Sequence, residues 1–178
     1  MSVPAAVCLI GAECTGKTSL AAALAERFGG LWVGEHLRDF CAQHERTPTR
    51  DEQANILERQ FQLEEGALMR ARRSGKQWVF CDTAPLLTAI YSDFIFGDRS
   101  LYPRARVLHE RYALTLNLEP DVPWVADGIQ RDGAHVRAPV QAMIERELST
   151  LAVPWQQIAG HGAIRLGTAV AAVESLAR

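Results

Sequence analysis

The residues with the clearest chemical signature form a glycine-rich segment near the start of the chain. Residues 11–18 read Gly-Ala-Glu-Cys-Thr-Gly-Lys-Thr, which matches the pattern GxxxxGK[ST] at every fixed position. The apolar run Ala5 to Ile10 precedes the segment, and an amphipathic run follows it. A loop between a buried strand and a helix holds oxyanions with its backbone N–H groups and the helix dipole. The segment therefore predicts a binding site for nucleotide phosphates.

Each residue type in this loop has a predicted role. Gly11 and Gly16 permit backbone torsions that other residues avoid, Lys17 can reach the terminal phosphates of ATP, and the Thr18 hydroxyl can bind Mg²⁺. We expect ATP and Mg²⁺ as cofactors, with further contacts to the nucleotide from Glu13, Cys14, Thr15 and Ser19. The alternative is a glycine-rich helix start that binds nothing.

Carboxylates follow three of the predicted strands. Glu35 ends the second strand, Asp82 the third and Asp127 the fourth. The carboxyl ends of parallel strands gather ligands, and phosphoryl transfer needs one carboxylate for Mg²⁺ and one for the acceptor hydroxyl. We predict that Asp82 binds the metal with Thr18, and that Glu35 or Asp127 acts on the acceptor. Each acid could instead be a helix cap or a solvated loop residue.

Arginines near this edge could complete the site. Residues 128–137 are polar, bracketed by glycine, and contain Arg131 and Arg137, as suits a lid that brings cations to a transferring phosphoryl group. Arg38, three residues after Glu35, could contact a substrate anion. An ordinary surface loop and a surface ion pair are the respective alternatives. Tyr91 is a candidate for a pocket that holds a planar base.

Short apolar runs alternate with longer amphipathic ones, which predicts an α/β fold with a parallel sheet covered by helices on both faces. The Thr49-x-x-Glu52 spacing predicts a capping box before a long helix. Two further helices, Leu86 to Phe96 and Arg104 to Leu118, would form an insertion between the third and fourth strands. The predicted strands are Ala5 to Ile10, Leu31 to Gly34, Gln77 to Cys81, Val122 to Ala126 and Trp155 to Ala159.

Composition favours a compact enzyme. The 178 residues carry a net charge of −2, so no basic excess is available to bind nucleic acid. No apolar run approaches the roughly 20 residues that span a bilayer, and no targeting segment is visible. We expect one domain over residues 1–178, a cytoplasmic location, and free thiols at the four scattered cysteines.

With these motifs placed, the chain resembles the ribosylnicotinamide kinase domain of NadR-type proteins. The resemblance rests on residues 11–18, Phe80 to Thr83, Thr88 to Tyr91, and Val122 to Gly128. It implies a three-layer P-loop kinase fold with strand order 2-3-1-4-5, and ATP-dependent phosphorylation of the 5′-hydroxyl of nicotinamide riboside. It also implies that Asp82 and Asp127 act on metal or ribose. We also expect Trp124 and Tyr91 to contact the substrate.

The resemblance has limits that shape the expected activity. The family motif Asp-Thr-Asp stands here as Asp82-Thr83-Ala84, so one polar contact to the acceptor differs. We expect no onward conversion to NAD, because one phosphate loop is present. Two alternatives remain: a P-loop kinase for another nucleoside or small metabolite, and a nucleotide-binding ATPase module that acts on a protein partner.

Overall fold

The computed structural model describes residues 3–125 and 133–176. Within these residues, parallel strands form one sheet in the order β2-β3-β1-β4-β5, as the family resemblance predicts. The strands are β1 (Ala5–Ile10), β2 (Leu31–Val33), β3 (Trp78–Asp82), β4 (Leu114–Leu118) and β5 (Trp155–Ile158).

Helices cover both faces of the sheet, which confirms the predicted α/β class. Short 3-10 turns, Arg50–Glu52 and Ala134–Val136, lead into two of these helices. The helices are α1 (Lys17–Phe28), α2 (His36–His44), α3 (Gln53–Arg73), α4 (Pro85–Phe96), α5 (Tyr102–His109), α6 (Arg137–Thr150) and α7 (Gly162–Ser175).

Two apolar clusters lie on opposite faces of the sheet, because successive strand residues point in opposite directions. Val7 and Leu9 belong to the cluster that includes α1 and α7. Cys8 and Ile10 belong to the larger cluster, which includes α3, α4, α5 and α6. All four β1 residues are fully buried, as expected for a central parallel strand.

Local signals locate one boundary of each of two helices that flank the site. Helix α1 ends at Gly29, which adopts a left-handed φ of 61° and accommodates it without a Cβ clash. The predicted capping box is present: Thr49 and Glu52 satisfy each other's backbone N–H groups in the turn before α3. These two boundaries orient the helices that flank the site.

The fourth strand differs from the prediction. Val122 to Ala126 was expected to form it, but the strand is Leu114–Leu118, and the helix expected to reach Leu118 ends at His109. Alternating leucines with Thr115 and Asn117 have the period of a strand. The two polar side chains tolerate burial because Thr115 pairs with His109 at 2.9 Å and Asn117 accepts a hydrogen bond from Gln141 at 3.1 Å.

The α4–α5 pair forms the predicted helical insertion between β3 and β4. In the described part of the chain, no helix combines the length and apolarity needed to cross a membrane. The cysteines at 8, 14, 41 and 81 are free thiols, and burial raises the pKa of the Cys8 and Cys81 thiols well above the usual value.

Candidate functional site

The loop between β1 and α1 has the wound backbone that anion binding requires. Cys14 and Gly16 both have a left-handed backbone conformation, with φ of 56° and 83°. In this conformation, successive backbone N–H groups point into one concave surface that can bind an anion. A Cβ on Gly11 would lie 2.8 Å from the carbonyl oxygen of Leu118 and 2.9 Å from the hydroxyl of Thr15. Only glycine fits at position 11, whereas at Gly16 the torsion alone favours glycine.

Lys17 lies over this loop at the start of α1. Its side chain is largely buried, and its ammonium group donates hydrogen bonds to the carbonyl oxygens of Gly11 at 3.0 Å and Ala12 at 2.9 Å. The positive charge is therefore held at the place where the loop would bind phosphates. A phosphate oxygen is a stronger acceptor than a carbonyl, because it carries charge.

Thr18 and Asp82 meet beside the loop. Strand β3 pairs with β1 so that Asp82 lies opposite Leu9, and the Thr18 hydroxyl donates to Asp82 Oδ2 at 2.5 Å. The other carboxylate oxygen of Asp82 is buried without a hydrogen-bond partner in the described residues. A hydroxyl and a carboxylate suit Mg²⁺, which also keeps several waters. The pair fits the predicted metal site.

Glu35 lies between the end of β2 and the start of α2. Its side chain is 17% exposed, and Oε2 is 3.5 Å from Nε of Arg38. Burial raises the pKa of the Glu35 carboxyl above its usual value, the charge of Asp82 raises it further, and Lys17 and Arg38 oppose this shift. Burial and the nearby acid thus make Glu35 a stronger proton acceptor than a solvated glutamate.

A cavity of about 420 Å³ opens next to the loop. Its wall includes Lys17, Glu35 and Arg38, together with Tyr91 and Phe96 from α4. The volume falls in the range of about 300–1,000 Å³ that is typical of small-molecule pockets. The structure therefore brings six residues predicted from the sequence to one cavity, although different elements supply them: Glu13, Cys14, Lys17, Glu35, Arg38 and Tyr91.

Trp124 lies against the phosphate loop. Its indole N–H donates to Glu13 Oε1 at 3.3 Å, and the N–H of Gly133 donates to the same oxygen at 3.1 Å. Glu13 is 8% exposed. The Cys14 sulfur accepts a hydrogen bond from the N–H of Val125 at 3.3 Å. Trp124 is not among the described residues that line the cavity, although its partner Glu13 is.

Asp127 and Arg131 lie outside the described residues. The prediction that Asp127 follows the fourth strand directly is wrong, because that strand ends at Leu118. The acids that follow β4 directly are Glu119 and Asp121, and Asp121 accepts a hydrogen bond from the N–H of Gly160 at 2.6 Å.

Arg137 begins α6 and is 9% exposed. Its Nε and Nη2 atoms are buried without hydrogen-bond partners among the described residues. Gln141 lies one helical turn further along the same face, and its Oε1 accepts the Ala12 N–H at 3.5 Å. This end of α6 therefore lies at the phosphate loop. Ser19, by contrast, is exposed on α1.

Comparison with known families agrees with this geometry. A protein-family model described as an AAA domain matches residues 6–165. The chain belongs to the AAA domain family. A comparison of the AAA domain with curated protein sequences finds no significant match.

Solved structures similar to this AAA domain include NadR and a nucleoside kinase. The NadR protein in complex with NR has a TM-score of 0.78 at 20% identity, covering 98% of this chain and 52% of NadR. The NadR protein in complex with NAD and AMP-PNP has a TM-score of 0.77 at 19% identity, and the match covers 98% of this chain and 49% of that NadR chain. Deoxyadenosine kinase from M. mycoides with bound dCMP and dCDP has a TM-score of 0.62 at 10% identity, covering 96% and 99%.

These comparisons confirm the predicted P-loop kinase fold and its resemblance to NadR. The AAA domain spans about half the length of the NadR chains that it matches. At identities of 20% or less the likeness concerns the fold. The chemistry of this chain therefore depends on the residues of its own site.

Two buried residues that support the loop, Arg165 and Gln141, were not predicted from the sequence. Arg165 of α7 donates to the carbonyl oxygen of Thr15, to Gly160 O at 2.7 Å and to Glu119 O at 3.1 Å, and it pairs with Asp121. Neither Arg165 nor Gln141 lies in a recognisable motif. Their partners are distant in the sequence, so no local signal identifies them.

The arrangement can bind two ligands next to each other. The loop, Lys17 and the Thr18–Asp82 pair offer the groups that an anion and metal site needs, and the cavity with Glu35 in its wall adjoins them. A polyphosphate on the loop and a hydroxyl compound in the cavity would therefore be neighbours. Proximity of this kind is the main requirement for phosphoryl transfer.

Proposed function

We propose that this AAA domain is an ATP- and Mg²⁺-dependent kinase that phosphorylates the 5′-hydroxyl of nicotinamide riboside to give the mononucleotide. The observation that carries the proposal is the cavity beside the phosphate loop, with Lys17, Glu35 and Tyr91 in its wall. The folds of NadR proteins in complex with NR, and with NAD and AMP-PNP, support this choice of ligands.

On the donor side, the loop N–H groups of residues 13–19 would hold the ATP phosphates. Lys17 would stabilise the charge that develops on the β- and γ-phosphates. Thr18 and Asp82 would hold Mg²⁺, which when bound neutralises phosphate charge. Arg137 would contribute a cation to the transferring phosphoryl group, since its guanidinium has buried donors without partners among the described residues.

On the acceptor side, Glu35 would orient the ribose hydroxyl and accept its proton. The carboxyl group must be ionised for this role, and its raised pKa strengthens it as a base. Arg38, at 3.5 Å, would keep the carboxylate at the cavity. Tyr91 would stack on the planar, cationic pyridinium, an arrangement favoured by the ring quadrupole.

Three further residues keep their predicted roles as part of the proposal. Asp127 would be a second acid near the ribose, and Arg131 would be a lid cation. Trp124 would contact the substrate from its place beside Glu13, where its indole N–H is bonded at 3.3 Å.

A different nucleoside is the second candidate acceptor. Ala84 is fully buried in the apolar core, so this position offers no polar side chain to a ribose, and specificity depends strongly on such contacts. The fold of deoxyadenosine kinase is consistent with this candidate. A protein partner is less favoured, because two of the three exposed large apolar residues of the insertion, Ile95 and Phe96, line the cavity, and only Val107 of α5 lies apart from it.

The proposal is tested by incubating the purified protein with ATP, Mg²⁺ and nicotinamide riboside, deoxyadenosine or thymidine. ADP release and product mass are measured, with a reaction that lacks acceptor as the control. We expect the highest kcat/KM for nicotinamide riboside. A higher value for another nucleoside would retain the kinase and reject the acceptor, whereas ADP release independent of any acceptor would favour the ATPase module.

A further inference from the structure

The side chain of Gln60 contacts the backbone on both sides of Glu35. Gln60 lies on α3 and is 1% exposed. Its Oε1 accepts the N–H of His36 at 2.9 Å, and its Nε2 lies 3.5 Å from the carbonyl oxygen of Gly34. Both peptide units that adjoin Glu35 are thus bonded to one buried amide.

The orientation of this amide follows from its partners. The backbone N–H of His36 can only donate, so the Gln60 atom that faces it must be the oxygen. The Nε2 of Gln60 then faces Oε1 of Glu64, to which it donates at 2.9 Å. A flipped amide would leave the His36 donor without an acceptor.

Glu64 is held by residues outside α3. It is fully buried, and its Oε2 accepts hydrogen bonds from the Tyr112 hydroxyl at 2.6 Å and from Arg111. Arg111 also pairs with Glu65 at 3.1 Å. A buried carboxylate needs such partners, because leaving one of them unpaired is costly. This cluster of Glu64, Arg111 and Tyr112 anchors Gln60.

Among the described residues, the backbone around Glu35 has few hydrogen bonds other than those to Gln60. Strand β2 has three residues, lies at the edge of the sheet, and exposes 44% of Trp32. Glu35 is the N-cap residue of α2, yet its side chain makes no capping hydrogen bond. Gln60 satisfies one of the donors at this helix start, so the Glu35 carboxylate remains directed to the cavity and to Arg38.

We propose that Gln60 is a positioning residue that holds the Glu35 carboxylate at the acceptor cavity through the two peptide units adjoining Glu35. The proposal rests on the proposed function, in which Glu35 orients the acceptor hydroxyl. Catalytic groups lose efficiency when they are displaced by about 1 Å, so a backbone support of this kind affects the rate.

The test uses Gln60→Met, which retains the side-chain volume but removes all three hydrogen bonds. Gln62→Met is the matched control, since Gln62 is exposed on the same helix and accepts a hydrogen bond from Arg59. We expect Gln60→Met to lower kcat/KM for the acceptor by about 10-fold, with KM for ATP changed less than about 2-fold. Gln62→Met should match the wild type in both.

A double-mutant cycle separates positioning from a general effect on the fold. If Gln60 acts through Glu35, adding Gln60→Met to Glu35→Gln should cause no further loss of acceptor kcat/KM. Additive losses, or equal losses for acceptor and ATP, would overturn the inference. Gln60→Glu is the second variant. Its carboxylate can still accept the hydrogen bond from the His36 N–H, but it lies against the carboxylate of Glu64. This variant should also lose kcat/KM for the acceptor more than it changes KM for ATP.

The outcomes also separate this inference from the proposed function. A wild-type protein that phosphorylates no small acceptor rejects both. A wild-type kinase whose acceptor kinetics are unchanged in Gln60→Met rejects the inference alone. If neither Gln60 variant folds while Gln62→Met does, Gln60 is a structural residue and the inference is rejected.

Discussion

At the scale of single residues, the site depends on charged groups held close together with little solvent. Lys17 and Asp82 are almost completely buried, and the side chain of Glu35 is 17% exposed. Electrostatic interactions are stronger in such surroundings than in water. Substitution of these residues should therefore change function much more than it changes the fold.

Lys17→Ala should fold and should lower turnover by at least about 100-fold. The substitution removes the ammonium group that would stabilise the negative charge on the phosphates in the transition state. Lys76→Ala is the control, since Lys76 also donates to a backbone carbonyl, that of Gly29 at 2.6 Å, but is half-buried on another part of the molecule. Steady-state rates and circular dichroism measure both effects. Near wild-type turnover in folded Lys17→Ala would contradict the proposed role of the loop in binding the ATP phosphates.

Asp82→Asn should raise the Mg²⁺ concentration needed for half-maximal rate and lower the maximal rate. The asparagine amide keeps one oxygen that can accept the hydrogen bond from the Thr18 hydroxyl, yet it lacks the negative charge that Mg²⁺ prefers in a ligand. A Mg²⁺ titration of activity measures this. If both quantities match those of the wild type, Asp82 caps Thr18 and another acid binds the metal.

The raised pKa of Glu35 predicts a pH dependence of activity. In the proposed function the ionised carboxylate acts on the acceptor, so wild-type kcat/KM should fall at acid pH along a limb that lies above the usual titration range of glutamate. Glu35→Gln should be slower and should lack this limb. The same limb in the variant would assign the titration to another group.

The same shift predicts an effect of pH on stability. Between the ordinary pKa of 4.5 and the raised value, the folded state binds more protons than the unfolded state. The free energy of unfolding therefore falls as pH rises through this window. Glu35→Gln should be more stable than the wild type at pH 7, with a smaller advantage at pH 4, as measured by urea denaturation. An equal advantage at both pH values would contradict burial as the cause of the shift.

At the scale of elements, the phosphate loop depends on contacts from three strands and two helices. Its preceding strand β1 lies between β3 and β4 in the sheet, so Asp82 approaches from one side and Leu118 from the other. Helix α6 contributes Gln141 and helix α7 contributes Arg165. The loop conformation is thus a property of the whole layer around it.

Arg165→Met tests this dependence. It should lower the free energy of unfolding by about 2–4 kcal/mol, because three carbonyl oxygens and Asp121 lose a donor. The apparent affinity for ATP should fall as well. Arg27→Met, which removes an exposed arginine 4.0 Å from Glu174, should change stability by less than about 0.5 kcal/mol. An equally small effect of Arg165→Met would show that α7 does not stabilise the loop.

At the scale of the whole molecule, the parallel sheet brings the loop, Glu35 and the insertion together at the carboxyl ends of its strands. A ligand that binds only the folded state stabilises it by mass action. At 100 times its dissociation constant, a ligand contributes about 2.7 kcal/mol, which raises the Tm of a domain of this size by about 5–10 °C. A nonhydrolysable ATP analogue with Mg²⁺ should give such a shift, and nicotinamide riboside should add to it. A shift with the analogue but with no nucleoside would favour a protein partner.

Much of the donor side could be predicted from the sequence. The spacing of Gly11, Gly16, Lys17 and Thr18 after an apolar run specifies the loop, and Asp82 follows its strand directly. These signals lie within a few residues of each other, so the local backbone preferences of glycine, strand and helix decide them. The class of fold follows from the same local periodicities.

The fourth strand and the support of the site were decided by tertiary structure. The run Leu114 to Leu118 is short enough to be read as part of a helix, and it becomes a strand because β1 and β5 pair with it on both sides. Gln60 bonds to a residue 24 positions away, Gln141 to one 129 positions away and Arg165 to one 150 positions away. Polar residues at such separations have no local pattern, because their partners are set by the order of the strands and by the helices that pack on them.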